Sequence, residues 1–253
     1  NVYAYNNEYL AVDCGIGFAD ERHPGIDLLL PDPEFLETRR DMLQGLIVTH
    51  AHEDHIGAVA HLWHRFECPI YCSAFTAEIL RAKFKDIHGR TPDIQVVRAY
   101  DEIEMGSFSV TFVPVSHSIP DTFSLCIRTS LGQVLHSGDW NLDPSPVVGA
   151  ATKAEDFKEL VKDQPMLAYI GDSTNAEVEG RSGSESNVEE GLFHEFAQCN
   201  GKVVVTTFSS NIGRVINIYR AAKRAGREVG VIGRSLHRMI AAARNCGILD
   251  GID

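Results

Sequence analysis

The 253 residues are 44% apolar and 23% charged, an ordinary balance for a globular chain long enough for one large or two modest domains. No run reaches the ~20 apolar residues of a membrane span, and the opening NVYAYNNEYL has neither the basic nor the apolar part of a secretory leader, so a cytoplasmic location is expected. A net charge of −12 argues against indiscriminate nucleic-acid binding.

From the N-terminus, short β-type runs bounded by Gly, Pro or polar turn residues recur. They are YLAVDCG (9–15), GLIVTH (45–50), CPIYC (68–72), IQVVRAY (94–100), FSVTFVPV (108–115), FSLCIRT (123–129) and QVLHSGD (133–139). Among them, IGAVAHLWHRF reads as an amphipathic helix, with Ile56, Val59, Ala60 and Trp63 on one face and His61 and His64 toward solvent. The stretch NLDPSPVVGAATKAED interrupts the strands and places a boundary at about 150. Beyond it, strand MLAYIGD, helix SNVEEGLFHEFAQC, strand KVVVTTF, helix NIGRVINIYRAAKRAG and strand EVGVIGR form a βαβαβ series that favours a parallel sheet. Residues 1–150 are therefore expected as one α/β domain and 151–253 as a linker and the start of a second.

Charge is uneven along the chain. Residues 201–245 hold nine basic side chains and one acid, Glu228, for a net +8, so the remainder carries −20. Such a segment can attract a polyanion locally, or it can be a set of solvated helix faces. Ser209, Ser210 and Asn211 precede the basic helix and suit either a phosphate at its N-terminus or a plain N-cap. The six cysteines form no CxxC pair and read as free thiols.

The densest chemistry lies in THAHEDHIG, residues 49–57, with His50, His52, Asp54 and His55 where a strand gives way to a helix. The spacing is not HExxH, because His52 and His55 are three apart. In a sharply turning loop, imidazoles two apart can address one ion while the Asp and the last His address another, and imidazole with carboxylate suits zinc, with manganese also possible. His117 in PVSHSIPD and Asp139 in LHSGDWNLD stand at the ends of later strands and would complete a two-metal set. A carboxylate at 139 can bridge two cations and hold them the ~3.5–4 Å apart that two-metal hydrolysis uses. Glu53 reads as a supporting or solvent-facing residue, and His23 and His88 carry no pattern.

VDCG with Asp13, the HAHEDH core, His117 and Asp139 resemble, in order, the motifs of the metallo-β-lactamase fold. VSHSIPDTF, HSGDWNLDP, GDSTNAEVEG and TTFSSNIGR resemble the β-CASP group of nucleases within it, with the closest likeness to bacterial ribonuclease J. The fold this implies is an α/β αββα sandwich with part of an inserted β-CASP domain. By the resemblance, His50, His52 and His117 would hold one metal, Asp54 and His55 the second, and Asp139 would lie between them. Asp54 would also serve catalysis, Asp13 would hydrogen-bond to ligands, and Asp172 of GDSTN would stand near the active site. The implied activity is metal-dependent hydrolysis of single-stranded RNA, 5′-to-3′ and also internal, by a homo-oligomer, a dimer or tetramer. The family's two later signature histidines have no counterpart, since His194 and His237 sit in ordinary helical contexts. The chain is therefore expected to stop inside the β-CASP insertion and to lack the family's opening strand. The alternatives are another hydrolase of this fold, acting on a thioester, a lactam or DNA, and a nonhydrolytic RNA-binding subunit.

Overall fold

The computed structural model describes residues 1–253 other than 163, 181 and 253. The chain opens with a hairpin, β1 (Val2–Tyr5) and β2 (Glu8–Val12), then two short strands, β3 (Gly17–Phe18) and β4 (Leu28–Leu29), and one helical turn, α1 (Glu34–Glu37). Strand β5 (Leu43–Val48) leads into α2 (Glu53–Ile56) and α3 (Val59–Phe66), then β6 (Ile70–Cys72), α4 (Ala74–His88) and β7 (Ile94–Val96). A meander follows: β8 (Glu102–Met105), β9 (Phe108–Val115), β10 (Thr122–Thr129) and β11 (Gly132–His136). The last elements are α5 (Ala154–Leu160), β12 (Met166–Ile170), α6 (Val188–Gln198), α7 (Ile212–Arg224) and α8 (Arg234–Asn245).

Two five-stranded sheets result, in orders β1-β2-β5-β6-β7 and β12-β11-β10-β9-β8. In the first, β2, β5, β6 and β7 run parallel, which the helical crossovers α3 and α4 require. The second is antiparallel except for its edge pair, β11 with β12. Side chains of the first sheet divide by the two-residue period of a strand. Leu10, Val12 and Ile47 pack between the sheets with Phe108, Val110, Phe112, Phe123 and Leu125. Ala11, Leu46 and Val48 point the other way, into a core filled from α3 and α4 by Val59, Leu62, Phe75, Leu80 and Phe84. The same core takes in Ile212 and Ile216 of α7 and Met239 and Ala243 of α8. Asn245 Nδ2 donates to Glu78 Oε2 at 2.9 Å, and Arg238 pairs with Asp86, so α8 is tied to α4 by polar contacts as well.

Strands β9, β10 and β11 fall on runs read as β-type in the sequence, whereas β8 lies outside them. In the motif region the helix begins earlier than expected: α2 starts at Glu53, ends at Gly57, and a fresh helix starts at Val59. Ile56, Val59 and Ala60 are buried, and Trp63 packs on the same core while its Nε1 donates to Cys68 O at 2.7 Å.

The α/β class holds, but the parallel sheet expected after residue 150 is not formed as drawn. Met166–Ile170 joins the second sheet beside β11 rather than opening a new one. The segments expected as strands at 202–208 and 228–234 carry no ladder. A strand exists only with a neighbour that accepts from its N–H groups and donates to its C=O groups, and these segments leave Val204, Phe208 and Ile232 exposed at 91%, 84% and 95%.

Phe112 is fully buried between the sheets and meets Phe123 edge-on at 5.7 Å. Phe112→Ala is expected to lower unfolding stability by about 3–5 kcal/mol, read from the urea midpoint. A loss below about 1 kcal/mol would mean that the inter-sheet core is not packed this way.

Candidate metal centre

The site is assembled where strands of both sheets end. At the end of β2, Asp13 adopts a left-handed conformation with φ 60, which Asp tolerates better than most residues. The chain then runs alongside α2: Cys14 N donates to His55 O at 2.8 Å, Ile16 N to Glu53 O at 3.0 Å, and Ala58 N to Cys14 O at 3.0 Å. Only glycine fits between, because a Cβ on Gly15 would lie 1.6 Å from Asp54 O. Glu53 supports this turn by an ion pair with Lys83 at 2.7 Å.

The Asp13 carboxylate accepts from Thr49 N at 2.8 Å, from Thr49 Oγ1 at 3.0 Å and from His55 Nδ1 at 2.8 Å. That leaves His55 Nε2 facing the cleft, 3.2 Å from Asp139 Oδ1 and 3.7 Å from Asp54 Oδ2. On the other side, His52 Nδ1 lies 3.0 Å from both His50 Nε2 and His117 Nε2. Asp139 Oδ2 completes this group at 3.9 Å from His50 Nε2 and 3.7 Å from His117 Nε2. Two groups of possible ligands therefore share one residue: His50, His52, His117 and Asp139, and Asp54, His55 and Asp139.

The loops that present His117 and Asp139 are stitched together. Asn141 N donates to Ser116 O at 2.9 Å, and Thr152 Oγ1 takes Ser116 N and gives to Asn141 O. Strand β11 ends at His136, so Asp139 stands in a loop turned by Gly138 at φ 57. Phe123 N donates to Thr49 O at 3.1 Å, linking this sheet to the histidine loop.

Burial, then the neighbouring histidines, hold His50 well below the ordinary imidazole range. Burial and then His117 lower His52 to about 4, and burial lowers His117 against the pull of Asp139. His55 differs: burial disfavours its charge, but hydrogen bonds to Asp13 and Asp139 outweigh that and push it up to about 10. The hydrogen bond from His55 in turn lowers Asp139. Three ring nitrogens of uncharged imidazoles that converge on one another beside a carboxylate are a donor set that fits a divalent cation.

Other expected residues are placed less centrally. Asp172 lines a cleft of about 570 Å³ together with Asp54, His55, His136 and Asp139. Its Oδ1 accepts from Thr174 N at 2.9 Å and Thr174 Oγ1 at 2.7 Å, and it belongs to neither ligand group. Asn211 is the N-cap of α7, its Oδ1 accepting from Arg214 N at 2.8 Å, and it borders a small cleft beside His117. Ser209 Oγ meets Ser235 Oγ at 2.8 Å. Four of the nine basic side chains of the segment meet acids: Arg214 pairs with Glu185, Arg224 with Glu189 and Glu190, Lys223 with Glu228, and Arg238 with Asp86, while Arg227 donates to backbone carbonyls. Lys202, Arg220, Arg234 and Arg244 have no acidic partner among the described residues.

Two residues of the site carried no sequence signal. Thr49 precedes the histidine cluster as an ordinary strand residue, yet it joins Asp13 to His50. His136 is buried, lines the cleft and bonds through Nδ1 to the Tyr3 hydroxyl at 2.8 Å.

With this geometry in hand, likeness to known proteins can be stated. Residues 9–174 match the beta-lactamase superfamily domain. The chain belongs to that superfamily. Residues 200–253 match the beta-CASP domain of ribonuclease J. This superfamily member is 43% identical over 249 residues to a protein named Ribonuclease J from Sinorhizobium meliloti, covering 98% of this chain and 44% of that one. It is 37% identical over 252 residues to a Ribonuclease J from Synechocystis, covering 98% of this chain and 39% of that one. It thus spans less than half the length of these relatives. A crystal structure of a protein of unknown function from Enterococcus faecalis V583 aligns over 93% of this chain and 68% of its own, with a TM-score of 0.59 at 18% identity, a likeness of fold alone.

Gly15→Ala is expected to abolish divalent-metal loading and lower the melting temperature by several degrees, about 2–4 °C per kcal/mol lost for a chain of this size. The comparison is Gly183→Ala, whose Cβ meets nothing within 4 Å. Equal metal content in the two variants would disprove the close passage at Gly15. His55 holds a proton near neutral pH in the metal-free protein, and a metal at Nε2 must displace it. Metal binding at about pH 7 is therefore expected to release about one proton and to tighten about tenfold per pH unit at the His55 group. Calorimetry in buffers of different ionisation enthalpy reads this, and a heat independent of buffer would contradict it.

Proposed function

We propose that this chain carries the catalytic centre of a ribonuclease of the J type, hydrolysing phosphodiesters of single-stranded RNA from the 5′ end and also internally. The observation that carries the reading is the pair of ligand groups sharing Asp139, on a chain 43% identical to a protein named Ribonuclease J. Two divalent ions fit the two groups; zinc suits the mixed imidazole and carboxylate donors, with manganese as the alternative. His50, His52 and His117 would hold one, Asp54 and His55 the other, and Asp139 both.

Bound there, divalent ions lower the pKa of water toward neutrality and offset charge on the phosphoryl oxygens. The chain's own groups do the rest. Asp54, with 64% of its side chain exposed, reaches into the cleft and orients the attacking water by accepting its hydrogen bond. Asp139, shared by the two groups, would offer a carboxylate oxygen to each. Asp13 keeps His55 Nε2 turned to the cleft. Asp172 borders the same cleft and adds negative potential, raising the basicity of His117. Lys202, Arg220, Arg234 and Arg244, without acidic partners among the described residues, are the candidates to contact the RNA backbone.

The same reading divides the chain at about residue 150, with Met166–Ile170 structurally attached to the first part, and treats 151–253 as linker and β-CASP sequence. It places the protein in the cytoplasm as a dimer or tetramer. No helix among the described residues is long and apolar enough to cross a membrane.

The test uses the complete gene product, a single-stranded RNA with a 5′-monophosphate and labels at both ends, and added zinc or manganese. Mononucleotides from the 5′ end, or discrete internal products, are expected. Chelation is expected to abolish them, and Asp54→Ala to reduce them by more than about a hundredfold, beyond the 10–100-fold typical of residues that only support ligands. Intact RNA in the presence of protein holding two metals would overturn the ribonuclease reading in favour of another hydrolase of this fold.

A further inference from the structure

Thr49 is fully buried, and each of its polar atoms is committed. Its N–H donates to Asp13 Oδ1 at 2.8 Å, its carbonyl accepts from Phe123 N at 3.1 Å, and Oγ1 lies 3.0 Å from Asp13 Oδ2 and 3.0 Å from His50 Nδ1. A carboxylate accepts hydrogen bonds and gives none, so the single hydroxyl proton of Thr49 is directed to Asp13. Toward His50 the same oxygen can then only accept, and the proton between them belongs to His50 Nδ1. A neutral imidazole protonated at Nδ1 presents its lone pair at Nε2, the atom 3.0 Å from His52 Nδ1. Asp13 Oδ2 also takes His55 Nδ1 directly at 2.8 Å. One carboxylate thus holds a proton on Nδ1 of one imidazole in each ligand group and turns its Nε2 to the cleft, without intermediary for His55 and through a hydroxyl for His50.

We infer that the Thr49 hydroxyl is a positioning group whose own reach is the His50 ligand group, whereas Asp13, which keeps Thr49 N and His55 Nδ1 as partners without that hydroxyl, positions both groups. The inference rests on the metal-centre reading above. It goes beyond that reading in assigning different reach to two residues that neither bind metal nor touch substrate. Because Asp13 serves both groups, disturbing it couples their losses, while disturbing the hydroxyl separates them.

Cobalt(II) titration of the complete, metal-free protein, followed by visible absorption, resolves the two binding steps without recourse to activity. Thr49→Val keeps the shape and removes the hydroxyl; Thr49→Ser keeps the hydroxyl. Thr49→Val is expected to weaken one step by about 10–100-fold and leave the other within about twofold, Thr49→Ser to restore the wild-type pattern, and Asp13→Asn to weaken both. Unchanged steps in Thr49→Val, or equal weakening of both, would overturn the inference. A wild-type protein that binds no cobalt would instead bring down the metal-centre reading itself. Should Thr49→Val fail to fold, ¹⁵N NMR of the wild-type, metal-free imidazoles decides alone: a proton on His50 Nδ1 is expected, and a proton on Nε2 overturns the relay.

Discussion

The carboxylate of Asp13 is the constraint from which the centre is built. With its side chain only 10% exposed, it would be costly to bury without partners. Thr49 N, Thr49 Oγ1 and His55 Nδ1 supply them. The bonds join the end of β2 to the loop after β5 and to the first turn of α2, so meeting the needs of one buried charge also fixes the histidine loop. The left-handed backbone at Asp13 and the absence of a side chain at Gly15 serve the same end, allowing the two segments to run within hydrogen-bonding distance.

The two sheets contribute in a division that follows from their packing. Phe112, Phe123 and Leu125 press against Leu10, Val12 and Ile47, fixing the distance between the strand ends of one sheet and those of the other. His50, His52, Asp54 and His55 follow β5, while His117 and Asp139 follow β9 and β11. Each ligand group includes members from both sheets. The centre therefore exists only while the inter-sheet core is intact, and the bridge from Ser116 to Asn141 keeps the two loops of the second sheet in step.

Much of this was legible from the residue pattern. The meander FSVTFVPV, FSLCIRT and QVLH alternates with the two-residue period of a strand and is found as β9, β10 and β11. The cluster of possible ligands was legible because histidine is scarce and its spacing in HAHEDH is specific. Partner choice was not. MLAYI reads as a strand wherever it pairs, and nothing in five apolar residues says that β11 will be its neighbour. VVVTTF and VGVIG have strand propensity without a ladder, which is a reminder that propensity in sheets reflects packing more than backbone preference. The net charge of 201–245 was legible but its pairing was not, because Glu185, Glu189 and Glu190 lie outside that window and fold back onto Arg214 and Arg224. Thr49 was invisible for a simpler reason: a threonine at the end of a strand needs no explanation until its hydroxyl is seen between a carboxylate and an imidazole.

The centre is electrostatically lopsided. His50 is buried, His52 and His117 are half-buried, and the three crowd one another, which disfavours the charged form of each. His55 stands between Asp13 and Asp139, and there the carboxylates overcome burial and retain the proton. A protonated His55 draws Asp139 toward it, at 3.2 Å from Nε2 to Oδ1, and leaves the other carboxylate oxygen turned to the three neutral rings. Asp139 thus reaches both ligand groups, with one oxygen toward each. Preorganisation of this kind removes part of the ordering cost of binding, and it arises from one aspartate placed on each side of a single histidine.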